Sequence, residues 1–357
     1  MQQRTLGESD LAVSVFGLGT MTFGAESDQA TSHAMLDRFV AAGGTLIDTA
    51  DVYSRGESET IIGRWLAANR SKEVVIATKG RFPMSDDPAD RGAGRDHLRR
   101  ALEASLRRLG VETVDLYQIH AWDPDTPIEE TLETLDEFVQ QGKVRTIGVS
   151  NFLAWQLERA LQVGRVHGWA PIRSLQPLYN LISREVEFDL LPLCLEQNLG
   201  VLPWSPLGGG WLTGKYRREE RPTGSTRLGE DPRRGVEAYD VRDNPLTWQV
   251  LDAIEDIAAS RDVPMSQVAL NWLRARPGVS SVLLGCRTVD QLEENLGALE
   301  WDLTRAEMSD LNAASAPGIP TYPYGFLEVE AGVDVWERLS TRTRPPFGPD
   351  AWAGPET

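Results

Sequence analysis

Short apolar runs alternate with longer amphipathic stretches along most of this chain. Between the runs, apolar residues recur every three or four positions, for example over 98–109, 128–139 and 250–258. That spacing is typical of helices with one buried face. The runs themselves are short, rich in apolar and β-branched residues, and predict strands at 15–20, 45–48, 74–79, 115–120, 146–150, 174–177, 200–204 and 281–284.

Strands that alternate with helices indicate parallel strands joined by right-handed crossovers. Eight such units favour a closed (β/α)8 TIM barrel of the α/β class over an open sheet. We expect one barrel domain over 1–357, without an interdomain linker. Within it, 1–14 is predicted to form a hairpin that closes the bottom of the barrel, and Asp28 and Asp96 are predicted to cap the first and third helices.

Two segments interrupt the alternation. The stretch 207–245, after the seventh strand, is rich in Gly, Pro and Arg and is too long for an ordinary connection. Loops of that length are usually lids or binding loops. An extended tail, 317–357, follows a last predicted helix near 304–314.

Composition and charge exclude several function classes. The net charge of −17 argues against nucleic acid or an anionic membrane as the partner. The start has no signal-peptide pattern, and no apolar run is long enough to span a membrane. Two cysteines, Cys194 and Cys286, form no CxxC pattern, which favours a reducing compartment without a disulfide framework or zinc site. We therefore expect a cytoplasmic protein. Its oligomeric state is not readable from the sequence.

Chemistry-bearing side chains end three adjacent predicted strands. Asp48 closes the second strand and Tyr53 follows it, Lys79 closes the third, and His120 closes the fourth. Each residue alone has an ordinary structural explanation, as a cap, a packing ring or a solvated charge. Catalytic residues of a parallel barrel sit at the carboxyl ends of its strands, and four together there predict an active site.

The four residue types suit carbonyl reduction. That reaction needs a hydride donor and an acid that protonates the growing alkoxide. A phenol is a weak acid near neutrality, and a neighbouring ammonium lowers its pKa. We expect Tyr53 to be the acid, Lys79 its activator and Asp48 the partner that keeps the lysine charged. His120 is expected to orient the substrate oxygen.

The sequence resembles the aldo-keto reductase superfamily over nearly its whole length. The motifs include GLGTMTFG (17–24), GGTLIDTADVYSRGESE (43–59), VVIATK (74–79), DLYQIH (115–120), IGVSNF (147–152), QPLYN (176–180), PWSPLGGGWLTGKY (203–216) and SVLLGCRTVDQLEENL (281–296). In that superfamily the matching Asp, Tyr, Lys and His form the catalytic tetrad. The long loop and tail look like the bacterial and potassium-channel-β-like branch.

The resemblance implies an NADP(H) site. The loop from Trp204 would wrap the dinucleotide, with the indole stacked on the nicotinamide ring. Arg287 opens a helix after the last strand and is expected to bind the 2′-phosphate. The full set of expected cofactor contacts is Gly19, Thr20, Met21, Asp48, Ser150, Asn151, Gln176, Trp204, Ser205, Pro206, Leu207, Gly208, Lys215, Gly285, Arg287, Gln291, Glu294 and Asn295.

Met21, Phe23, Tyr53, His120 and Trp122 are expected to line the substrate pocket. The expected function is NADPH-dependent reduction of an aldehyde or ketone, reversibly, with a small-molecule carbonyl as partner. An alternative is a redox-sensing or regulatory module like the channel β-subunits. A metal-dependent hydrolase on the same barrel is disfavoured because none of the four histidines forms a ligand pair at a strand end, and no metal is expected.

Overall fold

The computed structural model describes residues 1–69, 73–224, 227–230, 235–318 and 320–327. The chain divides into two compact units. The first comprises Met1–Pro177, Glu196–Trp204 and Ser280–Glu293, and the second comprises Leu178–Leu195, Ser205–Val279 and Glu294–Thr357. All ten strands that the structure describes belong to the first unit.

Eight parallel strands form one sheet in the first unit. Its strands, in chain order, are β3 (Phe16–Gly19), β4 (Leu46–Asp48), β5 (Val75–Gly80), β6 (Val114–Ile119), β7 (Val144–Ser150), β8 (Ile172–Gln176), β9 (Gly200–Val201) and β10 (Val282–Gly285). Each strand from β3 to β8 pairs with the next, and β10 pairs with β3. Backbone bonds from Ser280 N to Val201 O (2.9 Å) and from Leu283 N to Pro203 O (3.0 Å) close the ring. The fold is the (β/α)8 barrel that the alternation predicts.

The eight predicted strands are all confirmed, with ends that differ by at most three residues. The largest difference is at β9, predicted over 200–204 but regular only at Gly200–Val201. Pro203 has no N–H to donate, so the regular ladder ends before it. Leu202 N and Trp204 N still bond to β8 and to Pro177, at 2.9 Å each.

The three stretches with helical periodicity, 98–109, 128–139 and 250–258, all lie in helices. The helices are α1 (Gln29–Ala41), α2 (Glu57–Ala68), α3 (Arg95–Leu109), α4 (Ile128–Gln140), α5 (Ala154–His167), α6 (Leu190–Glu196), α7 (Arg227–Glu230), α8 (Tyr239–Arg242), α9 (Pro245–Arg261), α10 (Met265–Arg274), α11 (Val289–Leu296) and α12 (Arg305–Ala314). In α3 the apolar positions from Leu98 to Leu109 are buried, as expected for a helix packed on one face.

One of the two predicted helix caps is confirmed. The Asp28 side chain accepts a hydrogen bond from Thr31 N at the start of α1. The prediction for Asp96 is wrong, because Gly94 is the N-cap of α3 and Asp96 lies inside the first turn. An acidic side chain in the first turn still interacts favourably with the helix dipole. The N-cap of α3 was therefore predicted two residues too late in the chain.

An antiparallel hairpin precedes the barrel. Its strands, β1 (Gln3–Thr5) and β2 (Ala12–Ser14), pair as the sequence suggests. Leu6, Leu11 and Val13 pack into a core cluster with Leu46 and Leu116 from the barrel strands. The hairpin therefore covers one end of the barrel core and leaves the carboxyl ends of the strands for the site.

The second unit has its own buried polar network. Glu187 is fully buried and accepts hydrogen bonds from Tyr179 (2.6 Å) and Arg184 (2.9 Å), and Arg276 lies 3.2 Å from it. Two arginines around one carboxylate hold the pKa of Glu187 below its ordinary value although burial alone would raise it. Of the predicted tail, Tyr324 stacks on Phe188, while 319 and 328–357 lie outside the described residues.

Candidate active site

The four predicted catalytic residues meet at the carboxyl ends of β4, β5 and β6. Lys79 Nζ donates to Asp48 Oδ1 at 2.6 Å and lies 3.3 Å from the Tyr53 hydroxyl. The rings of Tyr53 and His120 are 5.8 Å apart, edge to face. Lys79 also donates to the Thr49 carbonyl at 2.8 Å, so three oxygens surround its fully buried ammonium group.

Two glutamines complete the surroundings of Asp48. Its second carboxylate oxygen accepts hydrogen bonds from Gln176 Nε2 at 2.9 Å and from Gln118 Nε2 at 3.3 Å. Gln176 was predicted as a cofactor contact, but Gln118 was not singled out. The available signal was its position two residues before His120, because alternate residues of a strand point to the same side. These amides keep the buried carboxylate satisfied and fixed toward Lys79.

A tight turn holds Tyr53. The two residues after it, Ser54 and Arg55, have φ values of 48° and 52°, and Gly56 has 89°. Side chains other than glycine rarely adopt this left-handed conformation. Tyr53 N bonds to Ala50 O at 3.2 Å and Ser54 Oγ bonds to Phe23 O at 2.8 Å, which fix the turn on the barrel rim. The phenol is therefore presented to Lys79 by strained, hydrogen-bonded backbone.

The acidity of Tyr53 differs from the sequence-based expectation. The sequence predicts that Lys79 brings the Tyr53 pKa below that of a free tyrosine. In the structure, burial raises the pKa of Tyr53, and this outweighs the lowering effect of Lys79. The negative charge of Asp48 adds to the rise because it disfavours the phenolate. The direction of the Lys79 effect was right, but the net direction was wrong.

His120 is neutral at physiological pH in this environment. Burial lowers the pKa of His120 well below its ordinary value, and the charges of Lys79 and Arg81 lower it further. Its buried Nδ1 has no hydrogen-bond partner among the described residues. The Phe82 ring packs against the imidazole at 4.5 Å, a neighbour that sequence reasoning missed although it stands three residues after Lys79. A neutral imidazole keeps one N–H to donate and one nitrogen to accept.

Hydrogen bonds link four of the predicted cofactor contacts to one another and to the tetrad. Trp204 Nε1 donates to Asn151 Oδ1 at 3.1 Å, and Asn151 Nδ2 donates to His120 O at 2.9 Å. Asn151 has φ 55°, a left-handed conformation that asparagine tolerates better than most residues. Ser150 Oγ donates to Gln176 O at 2.7 Å. Of the predicted cofactor contacts, Ser150, Asn151, Gln176 and Trp204 thus lie together beside His120.

The residues after β3 lie against the same strand ends. Thr20 is buried, and its hydroxyl donates to Asp48 O at 2.9 Å. Gly19 and Met21 are partly exposed. Phe23 is fully buried, so a contact between its side chain and a substrate requires movement of the residues that cover it.

Side chains of nearby residues bind the backbone of the loop after β10. Arg287 N donates to Gln291 Oε1 and Ser27 Oγ donates to Arg287 O, both at 2.9 Å. The Arg287 guanidinium lies 3.7 Å from Glu26 and is 23% exposed. Gly285 is exposed, with open space where a Cβ would stand. An arginine beside the start of α11 is chemically suited to a phosphate.

In the second unit, left-handed residues lie at and just before the start of the loop predicted as a lid, 207–245. Ser205, Gly208, Gly209 and Gly210 all have positive φ values. A Cβ on Gly210 would lie 2.3 Å from Lys215 Nζ, so glycine allows this lysine to fold back onto the loop. Ser205 bonds to the buried Glu237. Pro206 and Leu207 lie in the same loop. Two more of the predicted cofactor contacts belong to this unit. The Glu294 carboxylate accepts a hydrogen bond from the Ser266 hydroxyl at 2.7 Å, and Asn295 is buried.

An aromatic surface follows His120 in the first unit. Trp122 packs against Phe152 at 5.2 Å and against Trp155 at 5.6 Å. Leu153 and Trp155 are more than half exposed. Trp122 was predicted to line the substrate pocket, whereas Trp155 was not.

The described part of the chain contains no group of three or more His, Cys, Asp or Glu side chains arranged to hold a metal ion. None of the described helices combines the length and apolar character needed to cross a bilayer.

Comparison with known proteins gives a consistent result. The model of the Aldo/keto reductase family matches residues 15–316. Protein tas of Escherichia coli (strain K12) is 34% identical over 361 aligned positions, which cover 90% of this chain and 99% of that protein. The uncharacterized oxidoreductase YrpG of Bacillus subtilis is 34% identical, covering 87% and 95%. A probable voltage-gated potassium channel subunit beta of Oryza sativa is 35% identical, covering 84% and 92%.

Proposed function

This chain belongs to the aldo/keto reductase family, and we propose that it is an NADP(H)-dependent enzyme in which Tyr53 protonates the carbonyl oxygen of an aldehyde or ketone. The family membership makes it an oxidoreductase of small-molecule carbonyls. Within this family, we propose NADP(H) as the cofactor and Tyr53 as the proton donor. We also propose that the chain is a single barrel domain in the cytoplasm.

One observation carries the proposal: Lys79 Nζ is within hydrogen-bonding distance of both Asp48 and Tyr53. Burial lowers the pKa of Lys79, but Asp48 and Tyr53 together raise it above its ordinary value. The lysine therefore stays cationic and stabilises a phenolate when one forms. Tyr53 can then release its proton to the substrate oxygen, while neutral His120 donates a hydrogen bond that holds this oxygen.

The residues of the first unit suit a nicotinamide cofactor. When bound, this cofactor supplies the hydride. Asn151 ties Trp204 to the backbone of His120, which fixes the indole beside the tetrad. Ser150, Asn151 and Gln176 provide the donors and acceptors that a carboxamide needs. The contacts predicted in the second unit, Ser205, Pro206, Leu207, Gly208, Lys215, Glu294 and Asn295, rest on the family resemblance. So does Gly285 in the first unit.

A regulatory role is the second candidate, favoured by the similarity to the rice channel β-subunit. The intact tetrad geometry supports a working enzyme instead. Steady-state oxidation of NADPH with a panel of aldehydes and ketones tests this directly, with Tyr53→Phe as the control. Turnover of several carbonyls that is lost in the control supports the enzyme. Tight NADPH binding without turnover of any carbonyl supports the regulatory role.

The alkaline limb of the pH profile reports on Tyr53. Reduction requires the protonated phenol, so kcat/KM falls as pH rises through the Tyr53 pKa. Because burial raises that pKa, we expect the fall to begin above about pH 10, the value for free tyrosine. Lys79→Met removes the charge that lowers the pKa. It should reduce kcat/KM by about 10²-fold or more and move the limb to still higher pH.

The alkaline limb is measured on enzyme that is stored near neutral pH and transferred to alkaline buffer only for the assay. The protein is then not exposed to alkali for long. Lys143→Met is the matched control, because Lys143 pairs with Glu103 at the surface. It should leave both the rate and the limb unchanged. An alkaline limb that stays in place in Lys79→Met would show that the lysine does not act on Tyr53.

A further inference from the structure

Asp51 is a buried acid that the proposed reaction does not use. Its side chain is fully buried, and neither carboxyl oxygen has a hydrogen-bond partner among the described residues. The backbone N–H of Val52 lies close enough to stabilise the carboxylate without reaching hydrogen-bond geometry. A buried carboxyl without partners is costly, and such groups are found mainly where they have a role.

Asp51 is attached directly to the tetrad. Its backbone N–H donates to Lys79 O at 3.1 Å, and it stands two residues before Tyr53 in the same turn. The charge of Asp51 raises the pKa of Tyr53, and the charge of Lys79 lowers the pKa of Asp51. A change in the charge of Asp51 is therefore felt by the proposed acid.

Charged groups from several elements surround Asp51. Glu59 of α2 repels its negative charge, and Arg108 of α3 attracts it. Arg108 is bound to Glu59, with Nε 2.7 Å from Oε2, and its attraction for Asp51 does not outweigh the effect of burial. The Tyr117 hydroxyl of β6 is buried nearby without a hydrogen-bond partner among the described residues. Burial and Glu59 together raise the pKa of Asp51 to about 7.

A cavity of about 480 Å³ leads from Asp51 to the surface. Its buried part includes His97, whose two ring nitrogens have no hydrogen-bond partner in the described structure. Its outer part includes the exposed Arg100 and Arg107 and the partly exposed Asp90. This volume has room for several water molecules, and its lining includes polar groups suited to hydrogen-bond with water. Asp51 is thus buried, but it borders a cavity whose other end is lined by exposed side chains.

We propose that Asp51 is a positioning residue that exchanges a proton with solvent through this cavity and, when ionised, makes Tyr53 a weaker acid. A proton moves from cavity water to a carboxylate oxygen of Asp51, or back, and no other bond changes. The effect on the reaction rests on the proposed function, whereas the titration of Asp51 does not.

The first test is the pH profile of kcat/KM for carbonyl reduction. In the natural protein the rate should fall on the order of 3- to 10-fold as pH rises through about 7, because ionised Asp51 weakens the acid. Asp51→Asn has nearly the same shape and no charge, and should lose this step. His97→Gln, which removes the other titratable group of the inner cavity, should keep it. A step that persists in Asp51→Asn overturns the proposal.

The second test does not depend on catalysis. Below about pH 4 Asp51 is protonated in both the folded and unfolded states. Between about pH 4 and 7 it ionises only when unfolded, so rising pH favours unfolding, and above about 7 the penalty is complete. The melting temperature of Asp51→Asn relative to the natural protein should therefore increase over this interval and then level off. A difference that is constant with pH overturns the proposal.

The third test follows Tyr53 itself by ultraviolet titration. The tyrosinate absorbance of Tyr53 is obtained by subtracting the titration curve of a Tyr53→Phe variant from that of the same protein with Tyr53 intact. In the Asp51→Asn background this signal should appear at lower pH than in the natural background, and an unchanged position overturns the coupling. Asp51→Ser repeats all three tests if Asp51→Asn does not fold. If no carbonyl is reduced, the proposed function fails, and the melting and titration results still decide the role of Asp51.

Discussion

Tyr53→Phe is expected to lose about 10²- to 10⁴-fold in carbonyl reduction, the usual cost of removing a general acid. The substitution deletes one hydroxyl, which lies 3.3 Å from Lys79 Nζ. The Lys79–Asp48 pair is shorter, at 2.6 Å, and does not involve the phenol, so the rest of the tetrad should stay in place. The cofactor residues around Trp204 are also untouched, and NADPH binding should remain close to normal.

Single-turnover rates and the dissociation constant for NADPH separate the two effects. The matched control is Tyr117→Phe. Tyr117 is fully buried in the same unit, and its hydroxyl has no partner among the described residues. Removing that hydroxyl should cost little in rate or stability. If Tyr53→Phe keeps more than about a tenth of the natural single-turnover rate, another group supplies the proton.

The barrel and the tetrad were predictable because both follow from local pattern and topology. Alternating strands and helices predict a parallel barrel, and a parallel barrel gathers the ends of its strands. Asp48, Lys79 and His120 therefore had to lie near one another once their strands were placed. The strand limits were less certain at β9, where Pro203 interrupts the ladder without ending the barrel.

The electrostatics of the site were not predictable from residue types. The sequence shows that a lysine is available to Tyr53, but the balance between that charge and burial depends on three-dimensional surroundings. The pKa of Tyr53 is raised for this reason. The raised pKa of Asp51 was not predictable for the same reason, because two of the charges that act on it, Glu59 and Arg108, come from separate helices. Gln118 points into the site by strand alternation, but an inward glutamine has many structural explanations.

The second large effect concerns the choice of cofactor, which we expect Arg287 to decide. NADPH differs from NADH by one phosphate on the adenosine ribose, close to a dianion at neutral pH. A protein with a net charge of −17 repels it unless a local cation receives it. The planar guanidinium of arginine binds phosphate through two hydrogen bonds, and the start of α11 lies two residues further on.

The structure also explains why Arg287→Ala should be selective. The loop is pinned by the backbone of Arg287, through its N–H to Gln291 and its carbonyl to Ser27. Both bonds survive loss of the side chain. The guanidinium lies 3.7 Å from Glu26, a long ion pair between two partly exposed side chains.

We therefore expect Arg287→Ala to weaken NADPH binding by about 10- to 150-fold, the equivalent of one charged hydrogen-bond interaction of roughly 1.5–3 kcal/mol. NADH binding should change little. The measurement is a pair of dissociation constants for each protein. Arg38→Ala is the control, because Arg38 pairs with Glu293 of the same helix, α11, on its exposed surface. Equal weakening of both cofactors would mean that Arg287 supports the loop. Tighter binding of NADH than of NADPH by the natural protein would reject the phosphate site. It would leave the tetrad unaffected, because Arg287 follows β10 whereas the tetrad lies at the ends of β4, β5 and β6.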